Sequence, residues 1–156
     1  MLYTVRPFAP AEYPLLSDFL YEAIFVPPGA EKPPRNVIHT PELQVYTENF
    51  GRPGDFAIAA EVNGKIIGAA WARIMNDYGH IDDKTPSLAV SLYDEYRGHG
   101  IGTALLKALL DAIREAGYER TSLSVQKENR AAKLYEKLGF STVRKTNEEY
   151  IMVCSL

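Results

Sequence analysis

Cysteine is all but missing from this 156-residue chain: Cys154 stands alone. A single thiol forms no internal disulfide frame and no cysteine-based metal set, and it points to a reducing cytoplasm as the expected compartment. Histidine is also scarce, and His39, His80 and His99 are too scattered to show metal-ligand spacing. No apolar run nears the ~18 residues a membrane span needs, and Met1-Leu2-Tyr3-Thr4-Val5-Arg6 does not have the form of a signal peptide. Neither sign of charge dominates. The formal net charge of −3 gives no reason to expect nucleic acid or an anionic membrane as the main partner. It leaves room for a local basic pocket. With 46% hydrophobic and 24% charged residues, the chain has the balance of an ordinary soluble domain, and its length suits one domain over 1–156.

Hydrophobic periodicity divides that domain into short elements. Leu2–Arg6 alternates as a strand does, and Pro10–Phe25 carries a helical apolar stripe through Tyr13, Leu16, Phe19, Leu20 and Ala23. Five prolines and glycines between Val26 and Asn36 require a loop, and Pro41–Phe50 reads as a second helix stopped by Gly51 and Pro53. Asp55–Val62 and Lys65–Met75 are β-type runs joined by Asn63-Gly64, a strong two-residue hairpin signal. Thr85–Tyr93 reads as a central strand, and Ile101–Ala116 as a long helix closed by Gly117. A strand over Thr121–Gln126, a helix opened by Asn129 and ended by Gly139, and a hairpin around Asn147-Glu148-Glu149 complete the chain. The resulting order is β-α-α-β-β-β-α-β-α-β-β, that of an α/β (α+β) chain.

Between the central strand and the long helix lies Arg97-Gly98-His99-Gly100-Ile101-Gly102-Thr103. A glycine-rich turn feeding a helix leaves several N–H groups unpaired and aimed at one point, where the helix dipole adds positive potential. Glycine lets an anion approach the backbone closely, and Arg97 can add a forked donor. A nucleotide-type cofactor fits such a turn. A P-loop needs Gly-Lys-Ser/Thr, and no lysine follows Gly102. A dinucleotide fingerprint needs a third glycine where Thr103 stands, and no βαβ unit opens the chain.

The third option is Arg-x-x-Gly-x-Gly/Ala, and Arg97 to Gly102 matches it at every fixed place. Asn129-Arg130-Ala131-Ala132-Lys133-Leu134-Tyr135-Glu136-Lys137-Leu138-Gly139-Phe140 supplies a second signature, N-x-x-A-x-x-x-Y-x-x-x-G-F. With both in order, the chain from about Asp55 onward resembles the GNAT superfamily of acetyl-CoA-dependent N-acetyltransferases. The resemblance implies the GNAT-like acyl-CoA N-acyltransferase fold, an α/β (α+β) mixed sheet with helices on both faces, and direct attack of a primary amine on acetyl-CoA in a ternary complex. It also implies that residues Arg97, Gly98, His99, Gly100, Ile101, Gly102 and Thr103 cradle the pyrophosphate. Main-chain groups of Val90 and Leu92, with Asn129, would hold the pantetheine arm. Tyr135 would be the general acid for the departing thiolate, since a phenol of pKa about 10 is protonated at neutral pH.

The general base is less defined. Many relatives carry a glutamate on the central strand where this chain has Ser87. Glu61 and His80 are the candidates taken forward, with Asp82, Asp83 or a chain of waters as further options. The acceptor, a small-molecule or peptide amine, is expected to meet the first two helices, the proline-rich arm and the loop after the third strand; of Tyr13, Tyr21, Phe25, Tyr46, Trp71 and Tyr78, most are expected in the core or rim and a subset in the pocket. The apolar run Tyr150-Ile151-Met152-Val153 would permit pairing into a homodimer, and an ordinary buried strand explains the same residues. A non-catalytic acyl-CoA-binding or sensing domain is the alternative; it would not need Tyr135.

Overall fold

Prolines shape the N-terminal third. In the computed structural model, which describes residues 1–156, β1 (Thr4–Pro7) leads to a 3-10 stretch, Pro10–Leu15, and then α1 (Leu16–Glu22). One helix was expected over Pro10–Phe25. Pro14 has no N–H to give and its ring crowds the preceding turn, so regular α geometry starts only at Leu16. The second expected helix, Pro41–Phe50, shortens to α2 (Pro41–Gln44). The carbonyls of Val45 and Glu48 go instead to the buried Arg73 guanidinium, at 3.2 and 2.7 Å. A tertiary contact overrides local helical preference there.

The remaining elements fall in the expected order. Asn63 and Gly64, at φ 51° and 80°, turn β2 (Phe56–Val62) into β3 (Lys65–Arg73), as a type I′ hairpin requires. There follow β4 (Ser87–Leu92), α3 (Ile101–Glu115), β5 (Arg120–Gln126), α4 (Ala131–Lys137), β6 (Phe140–Lys145) and β7 (Glu149–Ser155). The seven strands form one sheet in the order β1-β2-β3-β4-β5-β7-β6. Only β4 and β5 run parallel.

Strand alternation assigns the two faces of the sheet. Leu88, Leu92, Leu123, Val125 and Met152 pack with Leu105, Leu109 and Ile113 of α3 in one cluster. On the other face Trp71, Ala59 and Ala69 pack with Leu16, Phe19 and Leu20 of α1 and with Tyr46. Helix α3 fits the first cluster because Ile101, Leu105, Leu109 and Ile113 recur every four residues and are fully buried. The run Tyr150–Val153, considered above as a pairing surface, is used within the chain. Strand β7 lies between β5 and β6, and Ile151 and Met152 are buried. No helix is long and apolar enough to cross a membrane.

Candidate active site

The loop before α3 leaves its backbone amides free and open to solvent. Gly98 and Gly100 adopt φ of 81° and 79°, and a Cβ added at either would meet no atom within 4 Å. Internal packing therefore does not demand glycine; the space beside the backbone is open. None of the N–H groups of Gly98, His99, Gly100, Ile101, Gly102 and Thr103 donates to a backbone carbonyl, the first helical bond running from Ala104 to Gly100. Gly100 caps α3 without a side chain. Unpaired amides at the positive end of a 15-residue helix suit an anion in geometry and in sign. Arg97 stands beside it, half-exposed, paired with Asp94 at 3.0 Å and reaching the carbonyls of Leu92 and Glu22.

A cleft of about 850 Å³ runs from this loop into the sheet. It opens because β4 and β5 pair at a single register point, Ser87 with Ser122, and then diverge. Tyr93 donates to the Ile67 carbonyl of β3. The ladder's alternation therefore turns the main-chain groups of Val90 and Leu92 away from β3, toward the gap. Val90, Leu92, Arg97 and Thr103 line the cleft, as do Gly98, Gly100 and Gly102. His99 and Ile101 do not: His99 projects into solvent and Ile101 is fully buried in the core.

Asn129 and Tyr135 close the α4 side of the cleft. The Asn129 side chain accepts from the Ala131 N–H at 3.0 Å, which starts α4. Tyr135 packs edge-on to Phe140 with ring centroids 5.9 Å apart, and only 9% of it is exposed. Burial pushes its pKa up to about 12, so the hydroxyl stays protonated through the neutral range.

The α1/α2 side of the cleft is mostly apolar, lined by Leu20, Phe25, Val37 and Leu43, with a polar patch at its sheet end. Ser87 is fully buried, 3.3 Å from the Ser122 hydroxyl. Tyr46 and Glu149 line the wall, and Tyr46 donates to Asp77 at 3.0 Å. Burial raises the carboxyl pKa of both Asp77 and Glu149. The sequence-based candidates for the base lie elsewhere. Glu61 is held by Arg6 at 3.4 Å between β1 and β2, and His80 bonds the Met75 carbonyl at 2.9 Å. Neither lines the cleft; each is tied down by a partner close in the fold. Sequence reading missed Asp77 and Glu149, which converge only through tertiary contacts. The available signal was the run of small polar residues, Ser87, Ser91, Ser122 and Ser124, alternating on two strands.

Splayed parallel strands, an amide-lined anion loop at the mouth and a buried neutral phenol inside define a class, the GNAT-type acetyltransferases. Comparison with known proteins agrees. Residues 19–140 match the model of the Acetyltransferase (GNAT) family, and the chain belongs to that family. It is 29% identical over 116 residues to mycothiol acetyltransferase of Propionibacterium freudenreichii subsp. shermanii, covering 68% of this chain and 36% of that protein. It is 33% identical over 99 residues to an N-alpha-acetyltransferase of Sulfurisphaera tokodaii, covering 58% of this chain and 59% of that one. The chain thus spans about a third of the mycothiol acetyltransferases it matches. Among solved structures, PaiA N-acetyltransferase from Thermoplasma acidophilum in complex with coenzyme A superposes with a TM-score of 0.70 at 18% identity, covering 100% of both chains. The Salmonella typhimurium yncA structure with acetyl-CoA gives 0.68 at 18% identity, covering 100% of this chain and 95% of that one.

Proposed function

We propose that this protein transfers the acetyl group of acetyl-CoA to a primary amine of a small molecule or peptide, by direct attack in a ternary complex. The observation that carries this reading is the continuous cleft from the unpaired amides of Gly98, Gly100, Gly102 and Thr103 to the Tyr135 side chain. Bound acetyl-CoA would supply an activated acyl carbon and a thiolate leaving group. The loop amides and Arg97 would hold its diphosphate, with Arg97 exchanging Asp94 for a phosphate oxygen. Main-chain groups of Val90 and Leu92 would pair with the amide-bearing arm as an added strand does. A well-placed N–H there would stabilise developing negative charge on the acyl oxygen, an effect of roughly 3–4 kcal/mol. Tyr135 would give its proton to the sulfur.

The cleft wall favours direct attack over an acyl-enzyme. No cysteine or histidine lines it, and Cys154 is buried against the Leu138 carbonyl. Ser91, the serine nearest the Val90–Leu92 edge, gives its hydroxyl to the Phe19 carbonyl at 2.6 Å. Tyr135 at the cleft wall, a residue that a mere binder would not need, supports an enzyme. Free thiol released from acetyl-CoA across a panel of amines tests the reading. Turnover with intersecting initial-rate lines is expected. Parallel lines, the pattern of a covalent intermediate, would refute direct attack, and calorimetry without acetyl-CoA binding would refute the reading as a whole.

A further inference from the structure

The cleft of an amine acetyltransferase needs a group to take the proton of an incoming ammonium, and Ser87 cannot do so. Three carboxylates line the cleft: Glu22, Asp94 and Glu149. Glu22 and Asp94 belong to the phosphate end, 3.9 and 3.0 Å from Arg97. Glu149 is different, for its charged neighbours are Glu148 and Asp77, with Ser124 beside it.

Its direction follows from the sheet. On β7, Met152 and Cys154 pack toward α3 and α4, so the alternate residue Glu149 faces α1 and α2. On β5, Leu123 and Val125 likewise take the α3 side and leave Ser124 with Glu149 on the other. Tyr135 approaches from the opposite face of the gap. A nucleophile entering beside Glu149 and a leaving group protonated by Tyr135 would therefore lie on opposite sides of the acyl carbon.

Glu149 is backed by a fixed polar group. Asp77 accepts from Tyr46 at 3.0 Å, while its other oxygen is buried without a partner. Trp71 fixes Tyr46 by donating its indole N–H to the Tyr46 carbonyl at 3.0 Å. The segment carrying Asp77 lies flat on β5: a Cβ at Gly79 would come within 2.9 Å of the Leu123 backbone, and Ser122 donates to the Gly79 carbonyl at 2.7 Å. Glu42 adds negative potential at nearby Tyr78.

From this geometry we infer that Glu149 receives the acceptor's ammonium and takes its proton, with Asp77 and Tyr46 as positioning residues, and that the acceptor is a cationic amine without a carboxylate next to its nitrogen. The assignment rests on the amine reading above. Glu149 removes one proton from the ammonium. The nitrogen lone pair then bonds to the acyl carbon while the carbon–sulfur bond breaks, and the sulfur takes the phenolic proton of Tyr135. The nitrogen's second proton restores Tyr135 through water, and Glu149 releases the first to solvent. One proton leaves per acetamide and thiol formed. Burial first, then Glu148 and Asp77, raises the Glu149 pKa, while Ser124 opposes the shift. The acid limb of kcat/KM should therefore lie above the ordinary carboxylate range of about 4.3.

The test compares Glu149→Gln, Glu149→Asp and Asp77→Asn with the native chain, using phenethylamine, 1,4-diaminobutane, an alanyl tripeptide amide and free alanine as acceptors. Native protein should acetylate at least one of the first three, and free alanine at least tenfold more slowly. Glu149→Gln should lower kcat by about 10²- to 10⁴-fold, abolish the acid limb and leave the acetyl-CoA KM within twofold. Glu149→Asp should recover part of the rate, and Asp77→Asn should move the limb without removing it. Near-native kcat in a folded Glu149→Gln variant, an unchanged acid limb, or a preference for free alanine overturns the assignment. Native protein that binds acetyl-CoA but turns over no amine overturns the amine reading itself, a distinct result.

Discussion

Adding one methyl group at Gly100 separates what the loop does for the fold from what it does for the ligand. At φ 79°, Gly100→Ala must place an L-residue in the left-handed region, while its Cβ meets nothing within 4 Å. The fold therefore loses only the backbone cost, about 1–2 kcal/mol. For a chain of this size that lowers Tm by about 2–4 °C per kcal/mol. Gly64, at φ 80° and equally uncrowded, is a matched control far from the cleft, in the β2–β3 turn. Gly64→Ala should bring the same loss of Tm. Only at Gly100 does the new methyl occupy the space between loop amides and a phosphate oxygen. Losing one charge-assisted hydrogen bond costs about 1.5–3 kcal/mol, or about 10- to 150-fold in affinity. Calorimetric titration with acetyl-CoA measures this without an acceptor. Equal affinities for the two variants would place the diphosphate elsewhere.

Other outcomes follow from the same geometry. Tyr135→Phe should lower kcat by about 10²-fold or more with little change in acetyl-CoA affinity; full activity would remove Tyr135 from the acid role. Asp55→Ala should strip the fully buried Arg73 of its bidentate partner, held at 2.9 and 3.2 Å. A cost of about 3–5 kcal/mol is expected, read by denaturant unfolding, and a loss below about 1 kcal/mol would contradict a fixed buried charge. Asp77 has its folded pKa raised by burial. Its unfavourable contribution is absent below the ordinary carboxylate pKa and grows as pH rises through the folded value. Asp77→Asn, which keeps an acceptor for Tyr46, should raise Tm at neutral pH and leave it unchanged near pH 3. A gain at both pH values would point to packing instead.

Local chemistry made much of this protein readable in advance. Asn63-Gly64 gave its turn because both residues tolerate positive φ, and Gly117, at φ 96°, ended α3 where expected. The four-residue spacing of Ile101, Leu105, Leu109 and Ile113 marked the face of α3 that reaches the core. The N-terminal helices were less readable. Pro14 interrupts a stripe whose apolar spacing is otherwise helical, and Arg73 draws off carbonyls from a segment 25 residues away.

The glycine loop and the segment from Asn129 to Phe140 were visible as patterns because each is one local run, where residue order and backbone geometry are tied together. The polar group around Glu149 had no such pattern. Tyr46, Asp77 and Glu149 come from three separate segments, and Glu61 and His80 stood as candidates until folding gave each a partner away from the cleft. Sheet order and the divergence of β4 from β5 decide which carboxylate meets the cleft. The reason is that a side chain's reach is fixed by the element opposite it, and that element is chosen by the packing of the whole domain.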